Sequence, residues 1–149
     1  MTSNNIRLLL AEEVPLILPL IRQFYLEGNL PGELNESHFV TNLQRQIQSG
    51  SSFILASGFP IMGTIAGIVH EDMSTKELSC MEIFWYVDKN ERGTRGLRLL
   101  QAWEEEAKRR GAKKLLMAHL AAHKMEKFEK MYEHRGYKLL EQIYMKQVD

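Results

Sequence analysis

The chain has little with which to cross-link itself. Its single cysteine, Cys80, allows no internal disulfide and no thiolate zinc site, and points to a reducing, cytoplasmic setting. It also lacks net charge, since 19 Lys and Arg balance 19 Asp and Glu. A chain that coats DNA or RNA carries a basic excess, so nucleic-acid binding is disfavoured. Long apolar runs are missing too. The stretch 14–21 contains Pro15 and Pro19 and follows Glu12 and Glu13. It is too short to span a bilayer and wrongly flanked for a secretion signal, so no membrane partner is expected. Ten glycines and four prolines are too few for a low-complexity chain, and no internal repeat or linker is visible. What is present, 44% hydrophobic and 26% charged residues over 149 positions, is ordinary globular composition. The length suits one compact domain spanning residues 1–149.

The zero net charge hides an asymmetry. Residues 1–88 hold four basic against ten acidic side chains, a net of −6; residues 89–149 carry the compensating +6. Such a split arises by chance on a solvated surface, or it marks an anion-binding second half. Local clustering favours the second: Lys89, Arg92, Arg95 and Arg98 fall within ten residues, opposed only by Glu91.

Hydrophobic periodicity predicts the elements. Residues 6–10 read as a strand. Positions 14, 17, 18, 21, 24 and 25 form a helical stripe, in which Pro15 suits a first turn and Pro19 forces a late start or a kink. A loop follows at Gly28-Asn29 and Pro31-Gly32. Residues 33–48 read as a second helix stopped at Gly50. Strands 51–56 and 61–70 make a hairpin around Ser57-Gly58-Phe59-Pro60. Strand 78–88 is dense in aromatic and β-branched residues. Helix 96–110 carries Leu99, Leu100, Trp103 and Ala107 on one face and ends at Gly111. Strand 113–119, helix 121–135 and two terminal strands, 137–140 and 142–148, complete the chain. Consecutive middle strands call for antiparallel pairing, and the strand–helix–strand unit around 96–110 calls for one parallel pair. The expected class is mixed α/β, a mostly antiparallel sheet with helices on both faces.

One stretch carries chemistry in its residue types. Between Val87 and Leu97 a strand ends, a basic loop containing Gly93 and Gly96 follows, and a helix begins. Unpaired N–H groups and the dipole at a helix start favour an anion, and arginines add charge-assisted bonds. A simple turn has the same appearance. There is no Walker lysine and no GxGxxG, so nucleoside triphosphate and dinucleotide readings are poor.

Residues 81–116, running through Phe84-Trp85-Tyr86-Val87-Asp88 and Arg92-Gly93-Thr94-Arg95-Gly96-Leu97-Arg98-Leu99-Leu100, resemble the acyl-CoA-binding motif of the GNAT superfamily of N-acetyltransferases. Met131-Tyr132-Glu133-His134-Arg135-Gly136-Tyr137 is similar to that family's later motif, and the element order matches as well. The loop departs from the family pattern: Arg95 stands where the first Gly is expected, and Gly96 comes one residue early. The resemblance implies acetyl-CoA as cosubstrate. Its pyrophosphate would lie on Arg92, Gly93, Thr94, Arg95, Gly96 and Leu97, and its pantetheine arm against the backbone of Tyr86 and Val87. It also implies that Tyr132 protonates the departing thiolate; spacing alone instead favours a core tyrosine beside Phe128 and Met125.

Glu82 interrupts an apolar strand on the parity of Cys80, Phe84, Tyr86 and Asp88. It either faces water or acts as general base toward an acceptor amine, as residues near this position do in some members of the family. His119 and His123 lack a third ligand, so no metal is expected. The expectation is therefore an acetyl-CoA-dependent N-acetyltransferase with Glu82 as base and Tyr132 as acid. Its acceptor would be an amine on a small molecule, protein or peptide, and homodimerisation is compatible with it. The alternative is a GNAT-fold module that binds CoA or a protein partner without transfer.

Overall fold

A computed structural model describes residues 5–120 and 125–149. It divides into two units, one ending at Ala118 and the other spanning His119–Asp149. In the first, strands β1 (Ile6–Leu8), β2 (Ser52–Ser57), β3 (Gly63–Glu71), β4 (Leu78–Val87) and β5 (Lys114–Leu116) form one sheet in that order. The first four pair antiparallel, and β5 joins β4 in parallel after the crossover helix α3 (Thr94–Arg109).

Proline sets the first helix. Residues Ala11–Ile17 form a 3₁₀ turn containing Pro15, and helix α1 (Leu18–Gly28) begins with Pro19 in its first turn. The missing N–H of Pro19 costs nothing there, which is why the helix starts late. Glu13 fixes the turn by accepting from the Leu10 amide (3.0 Å) and from Arg7 (2.9 Å). Helix α2 (Glu36–Gln48) starts where the Asn35 side chain accepts from the His38 amide at 3.1 Å.

The two sheet faces bury different helices. Val14, Ile17, Ile21 and Leu43 pack on Ile54, Ala66 and Phe84. On the opposite face, Leu99, Leu100, Trp103 and Ala107 of α3 are fully buried, and the Trp103 indole donates to Ala66 O at 3.2 Å. The stripe of α3 is thus the one the sequence indicates. The helix begins at Thr94 rather than at Gly96, because Gly93, at φ 113°, turns the chain just before it.

A β-bulge interrupts the β3–β4 ladder. Ala66 opposes Phe84 while Gly67 opposes Glu82, leaving Ile83 as the extra residue. The shared parity expected for Cys80, Glu82, Phe84 and Tyr86 fails at that point. Glu82 keeps the parity of Cys80, but Phe84 and Tyr86 fall on the other one.

In the second unit, helix α4 (Met125–His134) ends before Gly136, at φ 91°. Residues 121–124, which include His123 and the expected start of this helix, lie outside the described residues. The terminal strands expected at 137–140 and 142–148 are not formed among the described residues. Apolar and aromatic residues there are compatible with a strand but do not suffice for one, since a strand exists only when a neighbouring edge accepts its N–H and C=O groups. Strand 113–119 is likewise shortened to Lys114–Leu116, the length over which β4 supplies partners.

Candidate functional site

Strand β4 delivers the site residues to one end of the sheet. Beyond Val87, the Asp88 amide donates to Met62 O (2.8 Å), and the Asp88 carboxylate accepts from the Asn90 amide (2.9 Å). This Asx turn reverses the chain toward Gly93 and α3. No side chain caps α3, and its first backbone bond, Leu97 N to Gly93 O, is long at 3.4 Å. A polar recess of about 290 Å³ opens here, lined by Asn90, Glu91, Arg92, Thr94, Arg95 and Arg98. The chemistry of this lining fits a phosphate group: a helix start, a hydroxyl and guanidinium groups.

The arginines are not equivalent. Arg98 is exposed, whereas Arg95 is buried and sends its guanidinium inward, donating to Ser57 Oγ at 2.8 Å with Glu91 at 3.5 Å. Arg92 donates from Nε to Val87 O (3.0 Å) and from Nη2 to Glu27 Oε2 (2.6 Å). Its guanidinium lies over the Tyr86 ring, 5.3 Å from the centroid. The Tyr86 hydroxyl donates to the other Glu27 oxygen at 2.6 Å, and burial together with this carboxylate pushes the phenol up to about 12. Val87 O, which the resemblance offers to the pantetheine arm, therefore already accepts from Arg92. Glu27 escaped the sequence reading. Its only signal there is that it is the one acidic residue of α1, in the last turn, with partners 59 and 65 residues away.

Glu82 sits at the bulge, half-buried, with no hydrogen bond or ion pair among the described residues. Burial alone pushes its carboxyl up to about 8. Such a group exchanges protons near neutral pH. Cys80, two residues earlier, is fully buried, and desolvation raises its thiol to about 12, so it stays a neutral thiol.

Tyr132 belongs to the second unit. Its ring stacks on His119 (6.3 Å, 21° between planes) and meets Phe128 and Tyr137 at 6.2 and 5.5 Å. Thus Tyr86, Val87, residues 92–97 and Glu82 share the first unit, on one strand and the helix that follows, and Tyr132 lies in an aromatic cluster of the other. Among the described residues, no three His, Cys, Asp or Glu side chains are grouped to hold a metal ion, and no helix is long and apolar enough to cross a membrane.

Comparison with known proteins bears on the family and the fold. The profile of the Acetyltransferase (GNAT) family matches residues 18–137. The chain belongs to the GNAT acetyltransferase family. A comparison with curated protein sequences finds no match. Among solved structures, the fold is similar to a predicted acetyltransferase with acetyl-CoA from Clostridium acetobutylicum (TM-score 0.79, 12% identity, 99% of this chain and 96% of that one). It is also similar to glucosamine-6-phosphate N-acetyltransferase from Arabidopsis thaliana (0.74, 15%, 100% and 99%). Ribosomal-protein-alanine N-acetyltransferase from Brucella melitensis biovar Abortus 2308 has the same fold (0.72, 16%, all of both chains).

Proposed function

We propose that the whole chain works as one acetyl-CoA-dependent N-acetyltransferase, with transfer by direct attack of an acceptor amine and no covalent enzyme intermediate. The observation that carries this reading is the unpartnered, half-buried Glu82 carboxylate on the same strand that ends at the phosphate-compatible recess. The recess takes the anionic end of acetyl-CoA, and the edge of β4 beyond its pairing with β5, which spans only Ser79–Met81, takes the pantetheine arm. Glu82 removes a proton from the acceptor ammonium. The freed lone pair attacks the thioester carbonyl carbon, the C–S bond breaks, and Tyr132 gives its phenolic proton to the leaving thiolate. By their names, the similar folds act on glucosamine-6-phosphate and on an alanine of a ribosomal protein. Here the acceptor class is an amine, on a small molecule or a peptide.

A second reading draws on Arg92 and Arg95. Both are tied into the protein, which suits a module that binds CoA or a partner without transfer. Calorimetric titration of acetyl-CoA, followed by an amine panel read by mass spectrometry, separates the two. The enzyme reading expects binding that weakens as salt is added and an acetylated product. Binding without product supports the module, and no binding at millimolar ligand removes both cofactor readings.

Tyr132→Phe tests the acid. The ring and its stacking survive, so stability should change by no more than about 1 kcal/mol, the net worth of one hydrogen bond. Turnover should fall at least about tenfold at unchanged acetyl-CoA affinity. A variant of unchanged rate but lowered melting temperature would make Tyr132 a core residue.

A further inference from the structure

The contacts of Glu27 have a role beyond holding α1 to the sheet. We infer that Glu27 is a positioning residue for the cofactor's anionic end, acting through Arg92; this rests on the recess being the phosphate site. Arg92 has five N–H donors, of which the protein engages Nε on Val87 O and one Nη2 hydrogen on Glu27. The fork is gripped along one edge and lies over the Tyr86 ring, and Arg92 is one of the residues that line the recess. Tyr86 fixes the carboxylate in turn by donating to its second oxygen. Three groups, Glu27 on α1 and Tyr86 and Val87 on β4, thus hold one guanidinium in a single orientation before any ligand arrives.

Two effects of the Glu27 charge oppose each other. As an anion near a phosphate site it repels the ligand. In solvent-exposed surroundings that repulsion weakens affinity by only about twofold, and salt screens it further. As a clamp it removes the cost of ordering an arginine side chain on binding, worth up to about thirtyfold. The clamp dominates, so loss of the charge weakens cofactor binding although it makes the site more positive. Chemistry is untouched, because Glu27 bonds Arg92 and holds no reacting atom.

The test is a double-mutant cycle on acetyl-CoA affinity, measured by calorimetry on the full chain, with melting temperature and steady-state kinetics on the same preparations. Glu27→Gln keeps the shape and removes the charge. It should raise Kd and KM for acetyl-CoA by about three- to tenfold at unchanged kcat. In the Arg92→Ala background the same substitution should change Kd by less than about twofold, because its target is gone. Tyr86→Phe, which keeps the aromatic platform, should weaken binding in the same direction and also lose its effect without Arg92. Tighter binding by Glu27→Gln, or an equal effect with and without Arg92, overturns the inference. So does a Glu27→Gln that leaves Kd unchanged while wild type binds. Wild type that does not bind acetyl-CoA at all overturns the recess reading itself, and the inference with it.

Discussion

Replacing Glu82 by Gln is expected to lower turnover by about 10²–10⁴-fold, the usual cost of losing a general base, while acetyl-CoA affinity stays close to wild type. The carboxylate sits at the bulge within β4, five residues before the last residue of that strand, and the recess begins only beyond it. Its loss therefore removes proton transfer and spares cofactor contacts. The pH dependence gives an independent handle. Burial pushes this carboxyl up to about 8, so wild-type kcat/KM should rise with pH to a plateau near that value as the base ionises, and the Gln variant should lose that limb.

Stability should respond in the opposite sense. The folded-state pKa lies above the unfolded one, so folding favours the protonated form. The stabilising contribution is complete below the unfolded pKa, about 4.5, and is lost as pH rises through about 8. Gln cannot ionise. Glu82→Gln should therefore gain in melting temperature relative to wild type between pH 5 and pH 8.5. A solvated glutamate at this position predicts neither effect. Wild-type turnover in the variant, with a pH-independent difference in melting temperature, would return Glu82 to the surface of the sheet.

Parts of this site could be read from the chain because they are local. The α3 stripe at Leu99, Leu100, Trp103 and Ala107, the stop at Gly111 and the glycine turn at Gly93 all depend on residues within a turn or two of one another. Pro19 narrows the start of α1 to a late start or a kink, and the structure takes the late start. Features created by distant partners could not. Arg95 belongs by sequence to a basic cluster, yet Ser57, 38 residues away, draws it inside. Glu27 gains its role from Tyr86 and Arg92. Terminal residues 137–149 carry a strand pattern without strand partners among the described residues. The bulge is the sharpest case. Nothing in residues 80–88 marks a break in their parity, and the shift shows only in the ladder, between Ala66 and Gly67.

That dependence makes Gly67→Ala the largest stability effect expected here. A Cβ at Gly67 would stand 2.6 Å from Trp103 Nε1, 2.9 Å from Cys80 Sγ and 2.9 Å from Phe53 Cζ. None of the three is a mobile tip. All are essentially fully buried, and the Trp103 indole is held by its bond to Ala66 O. The methyl therefore forces the indole off its acceptor or pushes β3 away from α3. Overpacking of this kind costs about 1–3 kcal/mol and sometimes more. The entropy gained by restricting the unfolded chain returns only about 0.4–1 kcal/mol. The net loss should lower the melting temperature by roughly 3–10 °C for a chain of this size. Because Gly67 opposes Glu82, turnover should fall as well, at a temperature where the variant is still folded. Cys80→Ala added to Gly67→Ala removes one of the three collisions and should recover part of the loss, although Cys80→Ala alone destabilises. A Gly67→Ala protein as stable and as active as wild type would mean that the strand can shift freely at the bulge, and that the position of Glu82 does not depend on the missing side chain opposite it.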